Sequence, residues 1–221
     1  MLRLYHIALS PYCRKIRLVL AEKKIEVDLI EEHPWEGRMD FLTLNPAGKV
    51  PVLRDGDRVI AESHAIFEYL EEKYPSPALL PKDLAERAEA RRLHNYFDDK
   101  FYNEVSSKIL RERVYRKLSK NGAPDSAEIN SALKAVKFHY GYMEWLLEDR
   151  RWLAGREMSI ADFAAAAHFS TLDYVGDVRW NTIPNVKDWY AKIKSRPAFR
   201  ELLRDLSPGL RPTKQYSDLD F

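Results

Sequence analysis

At 221 residues, 45% hydrophobic and 12% aromatic, the chain has enough apolar material for one large domain or two that share an interface, and too much for a disordered polymer. Thirty-six Lys and Arg against 34 Asp and Glu leave a net charge of +2 with the signs interspersed, so nucleic acid is not the default partner. No run approaches the roughly 18 apolar residues of a membrane span, no apolar leader precedes the charges at Arg14 and Lys15, and the single cysteine excludes an intrachain disulfide and a cysteine-based zinc cluster, in keeping with a reducing cytoplasm.

Residues 2–7 read as a first strand. Ser10 is a good N-cap and Pro11 suits the first helical position, so a helix is predicted from there to about residue 24, with Ile16, Val19, Leu20 and Lys23 at helical spacing. Val27 and Leu29 mark a second strand. The stretch 33–48 is irregular, holding Pro34, Trp35, Gly37, Pro46 and Gly48, with a short helix expected over 39–44. Val52-Leu53, the turn Asp55-Gly56 and Val59-Ile60 form a predicted hairpin, and Glu62-Ser63 opens a helix to about residue 73.

Beyond Asp83 strand signals nearly vanish. Leu93, Phe97, Phe101, Val105 and Ile109 recur every four residues, and Ile129, Leu133, Val136, Tyr140, Met143 and Leu147 step by four and three, giving two long amphipathic helices broken over 119–125. Shorter helices are expected over 160–174, 186–196 and 198–206. The organisation is therefore a small α/β domain (1–80), an all-α domain (81–206) and a tail (207–221), in which Pro208, Gly209 and Pro212 stop any helix and apolar periodicity is lost.

Ser10 lies where a helix dipole and free N–H groups stabilise an anion, so its hydroxyl could activate a bound thiol; the alternative is ordinary capping. Cys13, one turn into that helix, is either a small buried hydrophobe or a reactive thiol, and Ser10 in place of a first cysteine excludes dithiol exchange. A cis Val50–Pro51 bond would turn the Val50 backbone toward a peptide-like ligand, the alternative being a stiff turn. Glu62 and Ser63 could hold an ammonium and a carboxylate, or simply start a helix. Ser159 and Asp162 have the spacing of a capping box, worth about 1 kcal/mol to helix initiation. The six histidines show no metal-binding spacing, so no metal is expected.

The Ser10-Pro11 helix start, the segment Asn45 to Leu53, Glu62-Ser63 and Ser159 to Phe163 together resemble the glutathione transferase superfamily over about residues 2–206. The resemblance implies a thioredoxin-like domain with cis-Pro51, packed on a helical domain and commonly dimeric. It makes Ser10 the thiol-activating residue, Val50 and Pro51 the backbone anchor for the glutathione cysteine, and Glu62 and Ser63 the γ-glutamyl clamp. Fold alone does not fix activity. The tail, ending Tyr216-Ser217-Asp218-Leu219-Asp220-Phe221, resembles that of a transferase-like subgroup of bacterial division proteins that bind the tubulin homologue FtsZ. That resemblance implies a cytoplasmic homodimer at the division site that binds FtsZ filaments and supports constriction, with no cofactor required, although glutathione remains possible.

Physically, Leu219 and Phe221 could anchor in a partner groove beside Tyr216, while Asp218 and Asp220 steer toward basic residues; the alternative is an untidy terminus. Trp35 is a second candidate contact, or a side chain that closes the dimer or ligand cleft. Two functions thus remain in view: a filament-binding protein, and a glutathione-dependent transferase or isomerase that uses Ser10.

Overall fold

The computed structural model describes residues 1–219. Alternation in Leu2–His6 (β1) turns Leu2 and Leu4 inward and leaves Arg3 exposed, as a strand with one covered face requires. β1 is central in a four-stranded sheet of order β2-β1-β3-β4. It pairs in parallel with β2 (Val27–Glu31) and antiparallel with β3 (Val52–Asp55), which continues through the Gly56 turn, at φ 60°, into β4 (Arg58–Ala61). The α/β plus all-α architecture expected from the sequence is the one observed.

Helix α1 (Pro11–Glu22) connects β1 to β2. Ser10 caps it from an extended backbone, its Oγ accepting the Cys13 N–H at 3.4 Å, and Pro11 fills the first turn. Every residue from Cys13 to Leu20 is buried, because α1 is sandwiched between α3 (Ser63–Lys73) on its own layer and α8 (Ile160–Val175) of the helical layer. The short α2 (Met39–Leu44) covers the expected range and buries only Phe41.

Asp83 caps α4 (Leu84–Tyr96), accepting the Ala85 and Glu86 N–H groups at 2.9 Å. The helical backbone then runs on through π-helical Phe97–Ser106, α5 (Ser107–Leu110), π-helical Arg111–Tyr115 and α6 (Arg116–Leu118), forming one long rod. The four-residue repeat Leu93, Phe97, Phe101, Val105, Ile109 is its buried seam. Beside it lie α7 (Ser126–Asp149), begun by Asp125, and α8, which is buried on every side and forms the centre of the bundle. The capping box is present: Ser159 Oγ accepts the Ala161 N–H at 3.3 Å, and the Asp162 carboxylate accepts the Ser159 N–H at 2.9 Å.

Helix α9 (Pro184–Lys194) is followed by a 3-10 turn at Pro197–Phe199 and the short α10 (Arg200–Leu203), so the helix expected over 198–206 is shorter than its periodicity suggests. The tail also differs from expectation. Pro208 and Gly209 sit in a turn closed by a Ser207–Leu210 bridge, and beyond Pro212 the chain resumes as α11 (Lys214–Ser217), capped by Thr213, docked on α8. A helix stop at Pro212 thus precedes a new N-cap, which the loss of apolar periodicity concealed.

Candidate functional site

The pairings Tyr5↔Val52 and Val52↔Ala61 bring the end of β1, the start of β3 and the end of β4 to one end of the sheet. Three of the sequence-predicted features therefore gather there: Ser10 after β1, Val50–Pro51 before β3, and Glu62–Ser63 after β4. The Val50–Pro51 bond is cis, as is Ser76–Pro77, which the sequence did not suggest. Val50 is half-buried and precedes the β3 ladder; Pro51 is buried.

Glu62 stands at φ 71°, a left-handed conformation unfavourable for a residue with a Cβ, and its side chain is exposed and does not cap α3. Ser63 is turned the other way. Its buried Oγ accepts from Lys15 Nζ at 2.9 Å and lies 3.5 Å from Asp98 Oδ2. Lys15, fully buried, also approaches His94 Nε2 at 2.6 Å and pairs with the Asp98 carboxylate. Asp98 accepts the Tyr12 hydroxyl at its backbone carbonyl, 2.7 Å away, and His168, whose Nδ1 is 2.8 Å from Ser106 Oγ, closes the far side.

This cluster joins α1 and α3 to the rod and α8. Burial works against the Asp98 anion, but the Lys15 charge and the adjoining His168 and His94 imidazoles outweigh it and hold the carboxyl well below its usual range. His94 is pushed down to about 4 by burial and by the Lys15 charge. Neutral histidines surround the Lys–Asp pair in a polar seam in which His94 Nδ1, Asp98 Oδ1 and His168 Nε2 lie buried without a hydrogen-bond partner.

Ser10 is buried and caps α1, and Cys13 is fully buried with its thiol pushed up to about 11, mainly by desolvation, so its thiolate is scarce at neutral pH. The environment favours the small-hydrophobe reading of Cys13. Among the described residues no group of three or more His, Cys, Asp or Glu has the geometry to hold a metal, and no helix is long and apolar enough to cross a membrane.

Trp35 lies in the 3-10 turn Pro34–Glu36, 39% exposed. Its ring stacks on His33 at 4.9 Å and meets Tyr115 of the rod at 6.1 Å, so it spans the opening between the two layers. His33 is bracketed by Glu36 at 2.9 Å and Glu31 at 3.1 Å, which fixes the stack.

Of the expected tail contacts, Tyr216 is not at the surface. Its side chain is fully buried among Leu9, Leu110, Val114 and Tyr174. An aromatic ring in a Pro- and Gly-rich segment carries no periodicity to betray such burial. Asp218 is exposed and Leu219 is 42% exposed, while Asp220 and Phe221 lie outside the described residues. Sequence reasoning also missed Arg14 and Lys15 as core residues; each stands four residues before a buried neighbour, Leu18 and Val19, a spacing that puts them on the apolar face of α1.

The chain belongs to the glutathione S-transferase family: the family's N-terminal domain model matches residues 4–78 and its C-terminal domain model residues 100–205. It is 48% identical to FtsZ-localized protein A of Caulobacter vibrioides over 99% of this chain and 97% of that protein. The solved structure of FzlA from C. crescentus superimposes with a TM-score of 0.96, covering 100% of this chain and 99% of that one. A crystal structure of a glutathione S-transferase from Rhodospirillum rubrum F11, 47% identical, covers 100% of both chains with a TM-score of 0.97.

Proposed function

We propose that this chain is a transferase-like cell-division protein: a cytoplasmic homodimer at the division site that binds FtsZ filaments and supports constriction, with no glutathione turnover needed for that role. The observation that carries the reading is the 48% identity to FtsZ-localized protein A, sustained over 99% of the chain. Local chemistry supports it. The hydroxyl of Ser63 is engaged by Lys15 inside the seam, Cys13 is a buried thiol, and Ser10 serves α1 as a cap. Trp35 at the opening and Asp218 with Leu219 at the C-terminal end are the exposed contacts offered to the filament, joined in the sequence by Asp220 and Phe221.

Self-association is supported by α7. Phe138 and Trp145, 63% and 61% exposed, fall seven residues apart with Tyr142 between them, a single aromatic stripe on a helix face. A second copy covering that stripe would present two filament contacts at once, and the resulting avidity favours assembled FtsZ over free subunits.

A second reading is supported by one observation: the strand pairings bring Ser10, Val50–Pro51 and Glu62–Ser63 to one end of the sheet, where the family resemblance expects a glutathione site. In that reading Ser10 activates the glutathione thiol, Val50 and Pro51 hold its backbone, and Glu62 and Ser63 clamp its γ-glutamyl end, for transfer or isomerisation. Calorimetry with glutathione separates the two. The first reading expects no binding heat at millimolar glutathione and co-sedimentation with FtsZ polymer; binding accompanied by conjugation, without co-sedimentation, favours the second.

A further inference from the structure

Tyr216 is the last buried residue before the exposed end of the described chain, and its hydroxyl is saturated: it accepts from Arg14 Nη1 at 3.0 Å and donates to the Leu202 carbonyl at 2.6 Å. Arg14 is itself fully buried and makes four hydrogen bonds. It donates to the Ala8 carbonyl at 2.7 Å, to Ser170 Oγ at 2.9 Å and to Asp205 at 3.1 Å, and its guanidinium lies 5.6 Å from the Tyr216 ring centre. Arg17 holds the same Asp205 carboxylate through two hydrogen bonds at 2.8 and 2.9 Å. Three parts of the fold, α1, α8 and the segment after α10, thus converge on one ring.

The chain on either side of that ring is also tied down. Upstream, Tyr174 of α8 is bonded twice, its hydroxyl accepting the Ser207 N–H and donating to the Leu210 carbonyl, both at 3.2 Å, while Thr213 Oγ1 donates to the Asp173 carbonyl at 3.0 Å. Downstream, the buried Lys194 of α9 donates to the Gln215 and Asp218 carbonyls at 2.9 and 2.6 Å, closing the C-terminal end of α11 where its carbonyls lack helical partners. From Ser217 onward the described residues are exposed.

We infer that Tyr216 and Lys194 are positioning residues for filament binding: they seat the C-terminal segment in a socket built on Arg14 and set the direction in which Asp218 and Leu219 leave the surface. The inference rests on the proposed FtsZ-binding role of that segment. A contact launched from a fixed base has less conformational freedom to lose on binding than a loose tail, so the socket raises affinity without touching the partner. It assigns the surface role to residues beyond Tyr216, and the burial of Tyr216 becomes the reason that role is possible.

The experiment is quantitative co-sedimentation with FtsZ polymer, comparing the intact chain, a chain lacking residues 218–221, Tyr216→Phe, Lys194→Met, and a Gly-Ser-Gly insertion between Ser217 and Asp218. Circular dichroism and sedimentation velocity check fold and oligomeric state for each. Tyr216→Phe keeps the ring and removes the two hydroxyl bonds, and the insertion keeps the Arg14–Tyr216 and Lys194–Gln215 bonds while displacing the Asp218 carbonyl and uncoupling the exposed residues from their base. Expected is loss of binding on truncation and a weakening of about threefold or more for Tyr216→Phe, Lys194→Met and the insertion, with fold and assembly unchanged. Loss on truncation with intact-chain affinity in the insertion and in Tyr216→Phe overturns the socket and leaves the FtsZ role standing. Undiminished binding by the truncated chain overturns both the role of the segment and the inference built on it.

Discussion

Lys15 Nζ and Ser63 Oγ stand 2.9 Å apart inside the seam between the sheet layer and the helical bundle, so the hydroxyl proposed as part of a ligand clamp accepts from an internal ammonium. The same ammonium pairs with Asp98 of the rod, which makes Lys15 one of the links between the two layers. Replacing it by methionine leaves the Asp98 carboxylate without its cation. The expected loss is about 3–5 kcal/mol in denaturant unfolding, and adding Asp98→Asn should restore part of it. A Lys15→Met chain as stable as the parent would show that the pair contributes nothing to the seam.

Ser63→Ala removes one acceptor of the Lys15 ammonium and should lower stability by about 1 kcal/mol. Because the hydroxyl faces the seam and not the filament, its loss should leave FtsZ co-sedimentation unaltered. A Ser63→Ala chain of full stability that instead loses affinity for glutathione would assign the hydroxyl to a ligand.

Acid should weaken the fold in two stages. Burial pushes His94 down to about 4, helped by Lys15, and His6 down to about 4, helped by Arg17; burial also lowers His139 and His168. Between about pH 6.5 and 4 the unfolded chain therefore takes up protons that the folded chain refuses, and stability falls as pH falls. His94 and His6 each contribute a slope of up to about 1.4 kcal/mol per pH unit in that window, and His139 and His168 act in the same direction. Below about pH 4 the depressed Asp98 carboxyl continues the loss, since it protonates first in the unfolded chain. Guanidinium titrations at pH 7.5, 6 and 5 should give steadily lower midpoints; a flat series would mean that these histidines take up protons in the folded protein.

Asp162 is worth more than its cap. Besides the Ser159 N–H, its carboxylate accepts the Leu153 N–H and the Trp189 indole N–H, each at 2.9 Å, and it is fully buried. Ser159→Ala should cost about 1 kcal/mol through the cap, whereas Asp162→Ala strands several buried donors and should cost at least about 3 kcal/mol. Equal losses in calorimetric melting would reduce Asp162 to a capping residue.

The boundaries of the early elements were legible because their signals are local. Ser10-Pro11, the Asp55-Gly56 turn and Glu62-Ser63 each announce a start or a turn within a few residues, and the structure has α1, the β3–β4 hairpin and α3 there. The seam and the socket were not legible, because their partners are distant: Lys15 meets Asp98 across 83 positions and Arg14 meets Tyr216 across 202. Charge on α1 reads as solvent-facing until the tertiary partner is known, and a tyrosine after Pro212 reads as loose until its ring is seen among Leu9, Leu110 and Val114. The capping box at Ser159 was read from spacing alone, yet the two extra donors on Asp162 come from Leu153 and from another helix, beyond any local pattern.

Trp145→Glu places a charge in the exposed stripe of α7. If α7 carries the proposed self-association, sedimentation velocity should report a dimer for the parent chain and a monomer for the variant, with the fold unchanged by circular dichroism. An unchanged dimer would move the self-association surface elsewhere on the molecule.

The most direct test of the account compares how much intact protein is carried down by assembled FtsZ with how much binds unassembled FtsZ at the same concentration, without glutathione. A paired filament contact predicts strong pelleting with polymer and at least about tenfold weaker binding to free subunits. Protein left in the supernatant above a full filament pellet would contradict it.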